Sequence, residues 1–244
     1  MGENIHRMAL FAVAILTLGF ANQSSWAEPP EVVEIDDARI KFEINATDLD
    51  GGIQIFLDAE PWQRMAIFDP NGKGIFQVAG KGSIGTQGGT ELFMESAEPE
   101  FSELSIEELL ERFPEGEYEF RGKGVEDEKF VGSATLTHNL PDGPVLVFPL
   151  EESVDRFNTV VMWLPVAPPN GSPIIAYQVL VDQPETDFPA LPKITLDVMM
   201  PATATSMLVP PGFLLPETEY EWEVLAIEAT GNQTLSSSFF TTGL

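Results

Sequence analysis

The sequence contains no cysteine, only two histidines and few basic residues. Its 244 residues include 12 lysines and arginines against 39 aspartates and glutamates, which gives a formal net charge of −27. The absence of cysteine excludes disulfides, thiolate metal sites and cysteine nucleophiles. A charge this negative argues against binding to nucleic acids or anionic membranes, because both require a basic surface. Hydrophobic residues make up 43% of the chain, so a packed core is expected.

Residues typical of catalytic sites are also scarce. His138 is the only histidine beyond residue 27, and it ends a predicted strand, where we expect a structural role. No serine stands in a Gly-x-Ser-x-Gly nucleophile motif. The glycine-rich segment 80–89 lacks P-loop spacing and no clear helix follows it, so we predict a surface loop there. These absences favour a protein that is not an enzyme.

The first 27 residues have the pattern of a secretory signal peptide. Arg7 precedes an unbroken apolar run over 8–21, and Ser25 and Ala27 occupy the small-residue positions before a cleavage site. The run is shorter than the roughly 20 residues that span a bilayer. We therefore predict cleavage after Ala27, no membrane insertion afterwards, and a secreted or periplasmic protein. Export without cysteine is typical of bacterial proteins.

The rest of the chain predicts an all-β protein with two tandem β-sandwich (immunoglobulin-like) domains. Short runs of alternating apolar residues recur, and each ends in Gly, Pro, Asn or Asp. Residues 139–144 contain two prolines and a glycine, which indicates a boundary there. Since one such sandwich needs about 100 residues, we predict one domain over 31–140 and another over 143–244.

Core residues of the second half occur in a characteristic order. Tyr220, Trp222 and Val224 alternate with glutamates, which predicts a strand with one buried face. Tyr220 ends the spacing Leu-x-Pro-x-Thr-x-Tyr, which is typical of a sandwich corner where the hydroxyl binds upstream backbone. With Trp163 and Tyr177 upstream, this half resembles a fibronectin type III domain. The resemblance implies that both are core aromatic residues, on the second and third strands, without catalytic roles.

The first half predicts strands and one short helix. Alternating apolar residues predict strands over 42–45, 53–57, 65–68, 75–78, 119–122 and 132–138. Ser105 and Glu108 form a capping box at the start of a helix over 105–113, which Pro114 and Gly116 end. We interpret this half as a second sandwich. Together with the type III-like half, it resembles exported bacterial proteins of uncharacterised function.

One acidic segment has the composition of a metal site. Asp48 and Asp50 stand at alternate positions before two glycines, between two predicted strands. Calcium loops place oxygen ligands in this way, so Asp48 and Asp50 are candidate calcium ligands, and we expect no other cofactor. The segment lacks the third spaced ligand and the distal glutamate of an EF-hand. An ordinary Asp/Gly turn accounts for the same residues, and both interpretations remain open.

The acidic excess is distributed over both halves. Residues 28–140 contain 25 acidic and 9 basic residues, and residues 141–244 contain 13 and 2. A solvated surface that keeps an exported protein soluble explains this, and a surface that attracts cations or basic partners is the alternative.

We expect a non-catalytic exported binding or interaction module that presents two β-sandwiches to a protein or glycan ligand. The alternative is an exported hydrolase or enzyme accessory with an acidic site in 31–140. A deep pocket lined by close carboxylates with shifted pKa values would favour the enzyme. A flat surface with solvated acids would favour the module.

Overall fold

A computed structural model describes residues 29–184, 186–191 and 193–244. The predicted export signal over 1–27 lies outside these residues. The strands are β1 Val32–Glu34, β2 Asp37–Asn45, β3 Asp50–Phe68, β4 Gly74–Ala79, β5 Gly89–Glu95, β6 Gly116–Gly124, β7 Lys129–Leu136, β8 Leu146–Phe148, β9 Glu152–Val154, β10 Val160–Trp163, β11 Ile174–Asp182, β12 Thr195–Pro201, β13 Ser206–Leu208, β14 Glu219–Glu228 and β15 Gln233–Thr242; the helices are α1 Gly82–Gln87 and α2 Ile106–Arg112. Among the described residues, neither helix has the length and apolar character needed to span a bilayer.

The strands form two sheets, which confirms the all-β prediction. A 12-stranded sheet runs in the order β1-β7-β6-β3-β2-β15-β14-β11-β12, with β4 and β5 attached to β3 and β9 attached to β15. A three-stranded sheet has the order β13-β10-β8. Its buried residues share one hydrophobic cluster with β11 and β14, so the second half is a two-layered sandwich.

The predicted core aromatic residues of the second half are buried in this cluster. Trp163 on β10 and Tyr177 on β11 face each other with ring centroids 5.5 Å apart. Trp222 and Val224 on β14 point into the same core, while Glu221 and its alternating neighbours lie on the outer face. The period of two in the sequence therefore predicted the orientation of β14 correctly.

Tyr220 closes the corner that precedes β14. Its hydroxyl accepts a hydrogen bond from the backbone N–H of Leu215 at 2.6 Å, and its ring stacks on Phe240. We expect Tyr220→Phe to lower the free energy of unfolding by about 1–3 kcal/mol, because the Leu215 N–H loses its partner. Urea denaturation measures this difference. An unchanged midpoint would show that the hydroxyl does not stabilise the corner.

The first half is organised around one long, bent strand where the sequence predicted two strands. β3 has 19 residues and covers both the 53–57 and the 65–68 predictions. It pairs with β2 and β5 up to Asp58, with β5 and β6 at Trp62, and with β4 and β6 from Arg64 onward, and the pairing register shifts between Asp58 and Arg64. Pro61 lies in this bend, where a missing N–H is tolerated because the ladder is interrupted. Because of this bend, side chains from both ends of β3 pack into the same hydrophobic core.

The described residues contain two short α-helices where the sequence predicted one. α2 has the predicted capping box, with Ser105 and Glu108 side chains bonded to each other's backbone N–H. The prediction of a loop over 80–89 was wrong, because α1 lies inside it. Its glycines lower helix propensity and so hide the helix in the sequence. Gly85 is nevertheless required, since a Cβ there would stand 2.8 Å from the Gly80 carbonyl oxygen.

The predicted domain boundary has no regular structure, and the two hydrophobic clusters lie on either side of it. Residues 137–145 form neither helix nor strand. One cluster is built from residues between Val33 and Leu140, the other from residues between Leu146 and Phe240. The division into independently folding units stays a prediction.

A chain of residues 143–244 is expected to fold alone, because its hydrophobic cluster uses no residue of the first half. Circular dichroism should show a β-sheet spectrum and a cooperative thermal transition. A disordered spectrum, in conditions where the longer chain from residue 28 unfolds cooperatively, would contradict the proposed boundary.

The two halves are nevertheless joined edge to edge. Residues 233–235 of β15 pair in parallel with residues 43–45 of β2, so one sheet continues through both halves. We call this junction the seam. Beside it, the buried Asn232 accepts a hydrogen bond from the Phe42 N–H at 2.9 Å and donates to the carbonyls of Thr137 and Asn139 at 2.9 and 3.2 Å. The adjacent Glu228 carboxylate is fully buried and accepts the Asn232 N–H at 3.1 Å.

Candidate functional site: a polar groove across the seam

A groove crosses the seam on the outer face of the joined sheet. We call it the seam groove; it has a volume of about 310 Å³. Both halves contribute its lining: Lys41, Glu43, Gln54, Phe93, Gln178, Leu180, Glu223, Leu225, Gln233 and Leu235. The register of strand pairing explains why these side chains lie together, because Glu43 lies opposite Gln233 across the seam and Lys41 lies opposite Gln54.

Hydrogen bonds connect the polar side chains of the groove. The Lys41 ammonium donates to Gln233 Oε1 at 2.6 Å, and the Gln233 amide donates to the Glu43 carboxylate. On the first-half side, Gln54 Nε2 donates to Glu95 Oε1 at 2.7 Å. Gln233 thus ties the second half to a cation and an anion of the first.

Three carboxylates converge beside the groove in the first half, and of these Glu43 also lines it. One oxygen each of Glu43, Glu95 and Glu98 lies within 4.8 Å of the others. Burial raises the pKa of Glu98 to about 7, and the negative charges of Glu43 and Glu95 add to the effect. The pKa of Glu43 is raised chiefly by burial, against the bond from Gln233. The cluster can therefore hold a proton near neutral pH, although the Glu98 side chain is exposed and solvent screening weakens the coupling.

At the second-half end of the groove, another carboxyl group has a raised pKa. Burial raises the pKa of Glu223 to about 7, and the carboxylates of Glu221 and Asp182 contribute in the same direction. Burial also lowers the pKa of Lys41, although Glu43 opposes this shift. Partly desolvated groups of both signs therefore line the groove, and a bound ligand would meet stronger polar contacts than on an open surface.

Asp48 and Asp50 lie at the hairpin between β2 and β3, outside the lining of the groove. Asn45 Oδ1 accepts the N–H groups of Thr47 and Asp48, and Asn45 Nδ2 donates to Asp48 Oδ2 at 2.8 Å. The turn is closed by Leu49, which has a φ of 59°. Burial raises the pKa of Asp50, and the nearby Asp48 adds to the effect.

The glycines that follow Asp50 have a different role from the one expected. They belong to β3 rather than to the turn. A Cβ at Gly52 would stand 2.6 Å from Ser96 Oγ and 3.0 Å from Glu98 Cγ, so Gly52 makes room for the segment that carries Glu98. The motif therefore contributes to the carboxylate cluster through Gly52. Calcium binding by Asp48 and Asp50 stays a prediction.

Calcium binding at the hairpin predicts a calcium-selective stabilisation. The melting temperature should rise more in calcium than in magnesium at matched ionic strength, because only a specific site distinguishes the two ions. The double variant Asp48→Asn/Asp50→Asn should lose this difference. Equal responses to both ions, in wild type and variant alike, would identify the segment as a turn alone.

Sequence reasoning missed the residues of the seam groove. Glu43 stands two positions before Asn45 on the outer face of β2, and the hairpin register places it opposite Gly52. The turn over Asn45–Asp50 fixes that register. The sequence around the turn therefore could have predicted that Glu43 and Gly52 lie opposite each other. The contact with Gln233 is 190 positions away along the chain, and no local pattern indicates it.

His138 makes a hydrogen bond and a ring contact within the first half, which agree with the structural role expected of it. Its ring Nε2 lies 2.9 Å from the Phe113 carbonyl oxygen, and the ring contacts Phe42 edge to face. Neither contact lies in the seam groove.

The strands, the two sheets and the seam define an all-β protein with a two-layered sandwich in its second half. Solved structures that a comparison finds similar to this chain include fibronectin(III)-like modules of CbhA from Clostridium thermocellum, with 11% identity, 86% of this chain and 93% of that chain covered, and a TM-score of 0.35. The FN1–FN3 domains of chicken CNTN1 are similar at 13% identity, over 88% of this chain and 69% of that chain, with a TM-score of 0.38. No protein-family model and no curated protein matches the chain.

Proposed function

We propose that the protein is an exported, non-catalytic binding module, secreted or periplasmic, which contacts a protein or glycan ligand through the seam groove. The observation that carries this proposal is the continuous sheet face, which places polar and apolar side chains of both halves in one groove. Ligand sites combine apolar contact area with a few oriented polar groups, and the groove offers both.

The side chains of the groove suit a ligand with hydroxyl or amide groups. Gln54, Gln178 and Gln233 provide amides, each held in place by a hydrogen bond to a neighbour. Phe93 is 60% exposed at the rim and provides an apolar surface that can pack against a sugar ring or a side chain.

The alternative, a hydrolase with an acidic site in 31–140, has one feature in its favour. Glu43, Glu95 and Glu98 are close carboxylates with raised pKa values at two of the three positions. Glu95 and Glu98 are, however, exposed, whereas the carboxyl group that acts as general acid in a glycosidase is held in a desolvated pocket. The groove also lies on a sheet face rather than in a deep pocket, which favours binding.

The test compares capture of ligands by the wild-type chain from residue 28 and by a groove variant, Phe93→Ala/Gln178→Ala. The probes are culture-medium proteins, identified by mass spectrometry, and neutral polysaccharides in affinity gels. A matched control, Phe188→Ala/Gln77→Ala, removes an exposed phenylalanine and an exposed glutamine elsewhere.

We expect at least one ligand that wild type and control bind and the groove variant does not. Equal binding by the groove variant would contradict the proposal. Hydrolysis of a bound polysaccharide that is lost in Glu98→Gln would instead establish the hydrolase.

A further inference from the structure

Four basic residues come together on the outer face of the first half, far along the sheet from the seam. Arg64 on β3 lies directly opposite Lys123 on β6, and Lys123 lies directly opposite Lys129 on β7. Arg121 stands two positions from Lys123 on β6, between its strand partners Ala66 and Val131. We call these four residues the basic patch. They line a hollow of about 660 Å³.

This concentration of positive charge is unfavourable for the free protein. Like charges directly opposite each other on neighbouring strands destabilise a sheet. Residues 28–140 contain only 9 basic residues against 25 acidic ones, and four of the nine are in the patch. A surface that serves solubility alone intersperses charges of both signs. The patch therefore points to a function that requires clustered cations.

Neighbouring carboxylates neutralise the patch only in part. Lys123 forms an ion pair with Asp127, and Arg121 forms one with Glu119. Among the described residues, Arg64 and Lys129 have no carboxylate oxygen within 4.0 Å. Glu126 also lines the hollow, and the four cations still outnumber its two carboxylates, those of Glu126 and Asp127.

We infer that the basic patch binds an acidic polysaccharide with one carboxylate on each sugar ring. The three cations Arg64, Lys123 and Lys129 form a row across neighbouring strands, which lie about 4.7–4.9 Å apart. A polyuronate chain that lies across these strands carries one carboxylate on each sugar residue, and the long lysine and arginine side chains of the row can reach carboxylates on either side of that chain.

The position of the patch on a sheet face favours a polysaccharide over an acidic peptide, because extended peptides dock along the edge of a sheet rather than across its face. The polysaccharide has a further contact available, because Val131 in the hollow and Val32 beside Lys129 are exposed and can pack against the C–H face of a ring.

The negative charge of the whole chain does not prevent this binding. At physiological ionic strength, charges more than about 8 Å apart are largely screened, so the cations of the patch dominate the local field. Binding should therefore be salt-dependent. The inference concerns a surface separate from the seam groove, and its failure leaves the proposed function untouched.

The test measures binding of a hexamer of galacturonic acid to the chain from residue 28, by calorimetry at low and physiological salt. The patch variant is Arg64→Gln/Lys129→Gln, which removes the two cations that have no ion pair with any described residue. The matched control is Lys73→Gln/Lys81→Gln, which removes the same charge from exposed positions outside the patch. The comparison probes are the methyl-esterified hexamer and a poly-glutamate peptide.

We expect the hexamer to bind wild type and control, and to bind the patch variant at least about tenfold more weakly, a difference of about 1.4 kcal/mol. The neutral methyl ester should not bind. Absence of hexamer binding at low salt, or equal weakening in both variants, would overturn the inference. Poly-glutamate binding as tight as the hexamer would assign the patch to an acidic polypeptide instead. Self-association at low salt that the patch variant abolishes would assign it to a second copy of this chain.

Discussion

Trp222→Ala is expected to lower the free energy of unfolding by about 3–5 kcal/mol. Trp222 is 0% exposed at the centre of the second hydrophobic cluster, and its indole N–H donates to the Pro149 carbonyl oxygen at 3.1 Å. Alanine leaves a cavity of nearly the whole side chain, and the buried carbonyl loses its donor.

Urea denaturation followed by circular dichroism measures this loss. Phe239→Ala is the matched control, because Phe239 lies on the neighbouring β15 but points to the outer face and is 44% exposed. Phe239→Ala should lower the free energy of unfolding far less than Trp222→Ala does. A similar loss in both variants would show that Trp222 does not anchor the core.

Asn232→Ala is expected to lower the free energy of unfolding by about 2–4 kcal/mol, because three backbone groups lose their partner in a buried site. Asn232 is 1% exposed and bonds the Phe42 N–H and the carbonyls of Thr137 and Asn139. All three belong to the first half or to the connection. The loss should therefore weaken the seam as well as the turn that carries Asn232.

Two measurements separate these effects. Urea denaturation of the chain from residue 28 gives the total loss, and limited proteolysis within 137–145 reports opening at the seam. Asn71→Ala is the control, since Asn71 is exposed and its side chain makes no hydrogen bond within the described residues. If Asn232→Ala were as stable and as protease-resistant as the control, the asparagine would not connect the halves.

Local patterns predicted the elements whose environment depends on near neighbours. The alternation of Tyr220, Trp222 and Val224 with glutamates predicted which face of β14 is buried, because a strand has a period of two. The capping box of Ser105 and Glu108 predicted the start of α2, because both partners lie within one helical turn. Where local preference conflicted with packing, as in the glycine-rich α1 and at Pro61 in β3, the local pattern was misleading.

The sequence by itself determined the charge, the absence of thiol chemistry, the all-β class and the core of the second half. These properties follow from composition or from short periodicities, which act within a few residues. Only the tertiary structure decided that β15 continues the sheet through β2, and that Gln233 therefore meets Glu43 in a groove. It alone also aligned Arg64, Lys123 and Lys129 across three strands. Contacts of this kind depend on which strand edges meet and in which register, and that choice is made by packing over distances that no local sequence pattern encodes.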